Sequence, residues 1–311
     1  MAERVDVGTE ELSRAARLLA VRGRREATGI FAGNYASAFR GGGIEFEESR
    51  PWEQGDDVAT FDWNATARTG EPYVKRFRAE RNQTLLFALD VSGSMRFGSA
   101  AASKLATAVH ALALLAAAAV RVGDQIGLVA FDEQVRESLP PGRGAAHAHR
   151  VGEAVARCLA APGGATRIAP ALRALRAATR QRSVVVLLSD FLDPALAASD
   201  AALCEELGRL GRRHELVAGC VRDARERELV SAGGVRVEDP ERPGSSWLLA
   251  SSSRRVRDRY RAAAAARDEA IARTLRRCGA DTLWLETGQS PLHRLARFLH
   301  ERAGRRVRGA A

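Results

Sequence analysis

The chain has 311 residues, 46% of them apolar, enough for one substantial core with an accessory region rather than three domains. The net charge is +10, and residues 254–308 carry +9 of it, with 15 arginines against 6 acids. The four cysteines, Cys158, Cys204, Cys220 and Cys278, form no CxxC pair, which argues against a zinc ribbon or a secreted disulfide framework and for small core residues in a reduced compartment.

No apolar run reads as a membrane span. The longest candidate, 106–122, is alanine-heavy and contains His110 and Arg121. The opening "MAERVDVGTEEL" is charged and lacks the apolar core of a signal peptide, so the expected location is the cytoplasm. The two lysines are Lys75 and Lys104, so almost all positive charge is arginine. With heavy alanine use, that suggests a GC-rich genome and weakens any functional meaning of the basic count.

In chain order, residues 1–27 form an N-terminal segment with a short charged helix expected from position 9, with Glu10 and Glu11 in its first turn. Residues 28–82 are rich in glycine, aromatics and turn formers. They contain strand-like pieces at 44–47 and 73–77 but no helical period, and read as an irregular β-containing arm. From 83 to 311 apolar strands alternate with amphipathic helices. Strands are expected at 85–89, 126–131, 184–188, 216–221 and 282–285, with an edge strand at 135–139 and a hairpin at 235–249. Helices are expected at 99–121, 151–159, 168–179, 201–212, 254–277 and 292–302. The fold class is α/β, a mostly parallel sheet with helices on both faces, whose ligands bind beyond the carboxyl ends of the strands.

Asp90 ends one apolar strand, in "LLFALDVSGS", and Asp190 ends another, in "VVVLLSD". The glycine-rich "GGATRIAPAL" presents Thr166 just before a helix. Asp90, Ser92, Ser94, Thr166 and Asp190 would then meet above the sheet. Two carboxylates and three hydroxyls make an all-oxygen set suited to a hard divalent cation, Mg2+ or else Mn2+ or Ca2+. Two adjacent aspartates without a cation repel one another, and a bound metal removes that conflict.

Asp90-Val91-Ser92-Gly93-Ser94 resembles the DxSxS motif of von Willebrand factor type A domains, and Thr166 and Asp190 fall where that family's other metal-site segments fall. The resemblance implies a metal-ion-dependent adhesion site with one position open for a partner's carboxylate. The preceding arm resembles the bacterial family called domain of unknown function fifty-eight, through Glu45, Phe46, Glu48, Arg50, Gly55, Asp56, Asp57, Asp62, Trp63, Ala67 and Arg68. Together the two resemblances cover about residues 28–300. Trp52 stands where that pattern usually has tyrosine, and Ala59-Thr60 where it is usually more basic. The resemblance implies an adaptor or co-chaperone acting with a MoxR-type AAA+ ATPase or its client, without enzymatic activity of its own.

Blander readings stand beside these. The serines of DxSGS could satisfy helix amides at a strand-to-helix turn. As a hydrolase nucleophile Ser92 or Ser94 lacks the G-x-S-x-G setting and a partnering histidine. His147 and His149 read as a solvated loop rather than a metal tract. Glu45, Arg50, Asp56, Asp57, Asp62, Trp63 and Arg68 read as a structural ion-pair and turn network anchoring the arm. The arginine-rich C-terminal helix offers a competing function, nucleic-acid binding, although only Tyr260 interleaves it and Asp258, Asp268 and Glu269 dilute it. A metal-dependent hydrolase is the remaining alternative.

Overall fold

Six strands hydrogen-bond side by side in the order β10 (Ala280–Glu286), β7 (Glu215–Arg222), β6 (Val184–Ser189), β3 (Thr84–Asp90), β4 (Gln125–Phe131) and β5 (Val135–Gly142). All neighbours are parallel except β5, which runs antiparallel at the edge. This is the fold class the sequence predicts. The computed structural model describes residues 29–40, 44–53, 56, 61–79, 83–242 and 244–309. The helix expected within residues 1–27 lies outside them.

Every residue of β3 is buried, because helices cover both faces of the sheet. Alternation splits its side chains. Leu85, Phe87 and Leu89 join one apolar cluster, and Leu86 and Ala88 join the other. Full burial of each large apolar side chain stabilises the fold by about 1.5–3 kcal/mol. The first cluster is roofed by α3 (Lys104–Arg121), α4 (Gly144–Ala160) and α9 (Pro291–Gly309), the second by α5 (Ile168–Ala178), α7 (Ala201–Arg213) and α8 (Arg254–Arg277). Helix α3 has the length and apolar composition of a membrane span, but 72% of it is buried inside the molecule. Its alanines pack it against the sheet.

The arm departs from expectation. Residues 29–40 are not irregular. They form helix α1 (Gly29–Arg40), which joins the main core through Phe31, Ala32, Tyr35, Ala38 and Phe39. Those positions repeat at helical spacing, a period hidden by the surrounding glycines. The arm's other described residues include a hairpin of β1 (Ile44–Pro51) and β2 (Tyr73–Ala79), with the short helix α2 (Trp63–Thr69) between its strands. Helix α2 stops at Gly70, whose φ of 77° suits glycine.

The tract around His147 is also corrected. It opens α4 rather than a loop, and His147 is buried. Its Nε2 donates to the Ile126 carbonyl at 2.9 Å, and its Nδ1 accepts from Arg150 at 2.7 Å. His149 faces outward and lies 3.3 Å from Glu153.

Candidate functional site

Strand order reverses between β3 and β6. From β3 the chain proceeds to β4 on one side and later returns to β6 on the other. The carboxyl ends of these two strands therefore border the crevice where open α/β sheets bind ligands. Asp90 is the last residue of β3, and Asp190 follows the last residue of β6. Both are fully buried.

The loop after β3 turns sharply to place two hydroxyls beside Asp90. Ser92 N–H donates to Asp90 Oδ1 at 2.9 Å. The Ser92 and Ser94 hydroxyls lie 3.2 Å apart. Thr166 Oγ1 lies 2.9 Å from Ser92 Oγ and 3.4 Å from Ser94 Oγ. The structure thus brings together all five residues singled out from the sequence, none more than 4% exposed. The 3-10 turn Ser94–Arg96 takes Gly93 at its cap, so neither serine stands at the capping position. The serine hydroxyls turn toward Thr166 instead.

Close backbone packing holds the two loops in register. Gly93 N–H donates to the Gly164 carbonyl at 2.8 Å. A Cβ on Gly163 would sit 2.6 Å from the Gly93 nitrogen, so only glycine fits. Asp132, buried just beyond β4, accepts from Gly164 N–H at 2.9 Å and is held by Arg136 Nε at 2.7 Å. Asp193 accepts from Ile168 N–H at 2.7 Å at the start of α5. Arg96 ties the serine loop to the end of α4 by donating to the Leu159 and Cys158 carbonyls, each at 3.2 Å.

The two aspartates differ in their neighbours. Asp190 accepts from Lys104 Nζ at 2.7 Å, and the same fully buried ammonium pairs with Glu226. Burial opposes its ionisation, yet the Lys104 charge and hydrogen bond hold Asp190 below the ordinary carboxylate range. Lys104 itself is raised despite its burial, by Asp190 and Glu226. Among the described residues Asp90 has no such cation. Burial and the Asp190 charge push it up to about 7, against the hydrogen bonds from Ser189 and Ser92. Ser189 Oγ donates to Asp90 Oδ2 at 2.5 Å. The sequence reading left relief of the aspartate repulsion to a metal. The structure corrects this in part, since Lys104 neutralises Asp190 and leaves Asp90 uncompensated.

The donor set fits a hard cation. Its converging side-chain atoms are oxygens, from Asp90, Ser92, Ser94 and Thr166, with Asp190 held by Lys104, and among the described residues Asp90 makes no ion pair. A further carboxylate arrives from elsewhere. Thr166 Oγ1 donates to Glu241, in the turn of the hairpin of β8 (Gly234–Glu238) and β9 (Ser246–Ala250). Sequence reasoning missed Lys104, Asp132, Ser189, Glu226 and Glu241. Asp132 alone carried a local signal, since "GLVAFD" repeats the strand-into-aspartate pattern of "LLFALD".

The arm residues lie in a network of their own. Arg50 pairs with Asp56 at 2.7 Å, and Asp56 accepts from Glu53 N–H at 2.9 Å. Asp62 caps α2 through Asn64 and Ala65 N–H and accepts from Ser49 Oγ at 2.5 Å. Trp63 is exposed and stacks on Phe61 with ring centroids 5.2 Å apart, and Arg68 Nε donates to the Asn64 carbonyl at 3.3 Å. Asp57 and the Glu45 side chain lie outside the described residues. On α8, Arg254 and Arg261 pair with Asp258, while Arg273 and Arg276 pair with Glu269. Asp268 binds the buried Arg222 at 2.7 Å.

Known proteins resemble this chain at the level of a family, a relative and two solved structures. The family described as "Protein of unknown function DUF58" matches residues 48–270. "Uncharacterized protein Rv1480" of Mycobacterium tuberculosis is 32% identical over 302 residues, spanning 96% of this chain and 92% of that one. Among solved structures, the conserved hypothetical protein BatB of Bacteroides thetaiotaomicron is similar over 72% of this chain and all of its own, at 14% identity and a TM-score of 0.43. The SpRpn10 VWA domain is similar over 71% of this chain and 95% of its own, at 10% identity and a TM-score of 0.39.

Proposed function

This chain belongs to the family described as "Protein of unknown function DUF58", and on that premise we propose that it is a metal-dependent protein-binding module of the cytoplasm, without enzymatic activity of its own. One observation carries the reading. Five oxygen-bearing side chains meet, buried, at the switch point of the sheet, and Asp90 among them has no ion-pair partner among the described residues. Burying a carboxylate without a cation is costly, and a divalent ion such as Mg2+ held by Asp90, Ser92, Ser94 and Thr166 supplies the missing charge. When bound, such an ion acts as a Lewis acid toward one further anionic oxygen, here the glutamate or aspartate of a partner.

The chain's own residues divide the remaining work. Asp190 fixes Ser94 while Lys104 keeps it ionised. Asp132 and the Gly93–Gly164 bond hold the Thr166 loop against the serine loop. The family resemblance suggests a MoxR-type AAA+ ATPase, or its client, as the source of the partner acid. Ser92 or Ser94 as a hydrolase nucleophile would need a base, and the Lys104 ammonium, raised and clamped between two carboxylates, weighs against that reading. Nucleic-acid binding through α8 is disfavoured by its ion pairs with Asp258, Glu269 and Asp268.

The test is a pulldown from native lysate with magnesium or with chelator, using wild type and folded Asp90→Ala. Recovery of a MoxR-type ATPase only with magnesium, and only by wild type, supports the reading. Identical recovery in all arms removes the metal site as the binding determinant.

A further inference from the structure

Glu241 is half-buried, and among the described residues it makes no ion pair. Yet it rests on an oxygen cluster that already holds Asp90. Its position is built rather than incidental. The Asp239 carboxylate accepts from Glu241 N–H at 3.0 Å, and Asp239 N–H donates to the Ser245 carbonyl at 3.0 Å, which shapes the turn. Beside it the Pro240 carbonyl presses on the serine loop. A Cβ on Gly93 would lie 2.6 Å from that oxygen. The turn therefore meets the site at two points, Glu241 on Thr166 and Pro240 on Gly93.

The hairpin is secured at its base, where buried Ser251 bonds Ala232 N–H and the Gly233 carbonyl and Arg257 donates to the Ser251 and Ser252 carbonyls, rather than along its strands. No residue of β8 or β9 is fully buried, and Trp247 and Leu248 are exposed. Segments with few buried apolar contacts open at low cost.

We propose that Glu241 is the resident carboxylate of this site: it occupies, on Thr166, the position that a partner's acidic side chain takes, so the β8–β9 hairpin withdraws before a partner enters. The inference rests on the metal-dependent reading above, but the closure contact is testable without metal. An acidic side chain of the partner replaces Glu241 like for like, and the exposed Trp247 and Leu248 move with the turn.

The experiment is hydrogen–deuterium exchange of residues 234–250 in the full chain, in chelator and then with Mg2+ alone. In chelator, Glu241→Ala and Thr166→Val each speed hairpin exchange about tenfold over wild type, the effect of losing one charge-assisted hydrogen bond. Glu241→Gln, which keeps an acceptor, stays close to wild type. Added Mg2+ slows hairpin exchange further in wild type but not in Glu241→Gln. Exchange unchanged by both Glu241→Ala and Thr166→Val overturns the closure. If Mg2+ slows exchange equally in wild type and Glu241→Gln, Glu241 is no part of the cation site and the proposal falls. If Mg2+ binds neither wild type nor Asp90→Asn by calorimetry, the metal reading fails by itself, and the chelator arm alone decides whether Glu241 closes the site.

Discussion

Four parallel strands of this sheet run into an aspartate, and the four fall into two kinds. Asp132 and Asp223 are fully committed to the fold. Asp132 takes Arg136 and the N–H groups of Gly164 and Gln134, and Asp223 takes Ser99 N–H and Oγ, Thr287 Oγ1 and Arg225 N–H. Burial raises both, but these hydrogen bonds win and leave both below the ordinary carboxylate range. Asp90 and Asp190 lie between them on the central strands. Asp190 is compensated by Lys104, while Asp90 is raised to about 7. An aspartate at a strand end is therefore not a site by itself. What marks Asp90 is a deficit of positive charge in a setting where hydroxyls point at it.

The largest effect that sharpens this contrast is expected at Lys104. Lys104→Met leaves Asp190 and Glu226 facing each other unpaired, and urea unfolding is expected to show a loss of about 3–5 kcal/mol. A change below one tenth of that would mean that another group compensates Asp190. Next comes Asp223→Ala, which strands the Ser99 and Thr287 hydroxyls and is expected to cost about 2–4 kcal/mol in the same measurement. Neither substitution touches Asp90 directly, so a Mg2+ titration of each folded variant separates support of the fold from support of the site.

Asp90 gives a smaller effect of opposite sign. Its folded pKa lies above the unfolded value of about 3.9, so the folded state binds the extra proton between about pH 4 and 7. Stability from this group is present at low pH and is lost as pH rises through about 7. In chelator, wild type is expected to lose Tm between about pH 4 and 7 relative to Asp90→Asn, because the variant removes the titration. Saturating Mg2+ at the upper pH restores wild type and leaves the variant unmoved. Parallel pH curves for the two proteins would place the charge deficit elsewhere. Asp132 and Asp223 act in the reverse sense, since their stabilisation is lost as pH falls through their depressed values. The smallest effect belongs to the arm. Arg50→Ala opens a solvent-facing pair with Asp56, and thermal unfolding is expected to stay near wild type.

Much of this was legible from the chain. The runs at 85–89 and 184–188 announced strands buried on both faces, and each proved one or two residues longer. Asp90, Ser92, Ser94 and Asp190 were legible because they stand at or just beyond strand ends that a parallel sheet must gather on one edge, and Thr166 because its glycine-rich run leads into a helix, although that run follows α4 rather than a strand. Helix α1 was not legible, because its two glycines masked its apolar period and its partners lie in the last helix and in α3. Lys104 read only as one of two lysines; the structure starts α3 at it, where a cation is unfavourable, and places Asp190 and Glu226 around it.

The sequence by itself determined the sheet, its parallel order of strand and helix, and the gathering of Asp90, Ser92, Ser94, Thr166 and Asp190, because periodicity and strand ends are local properties. Only the tertiary structure decided which aspartate is compensated and which carboxylate rests on Thr166. Charge balance in a buried cluster depends on distances between segments far apart in the chain: 86 residues separate Lys104 from Asp190, and 75 separate Thr166 from Glu241.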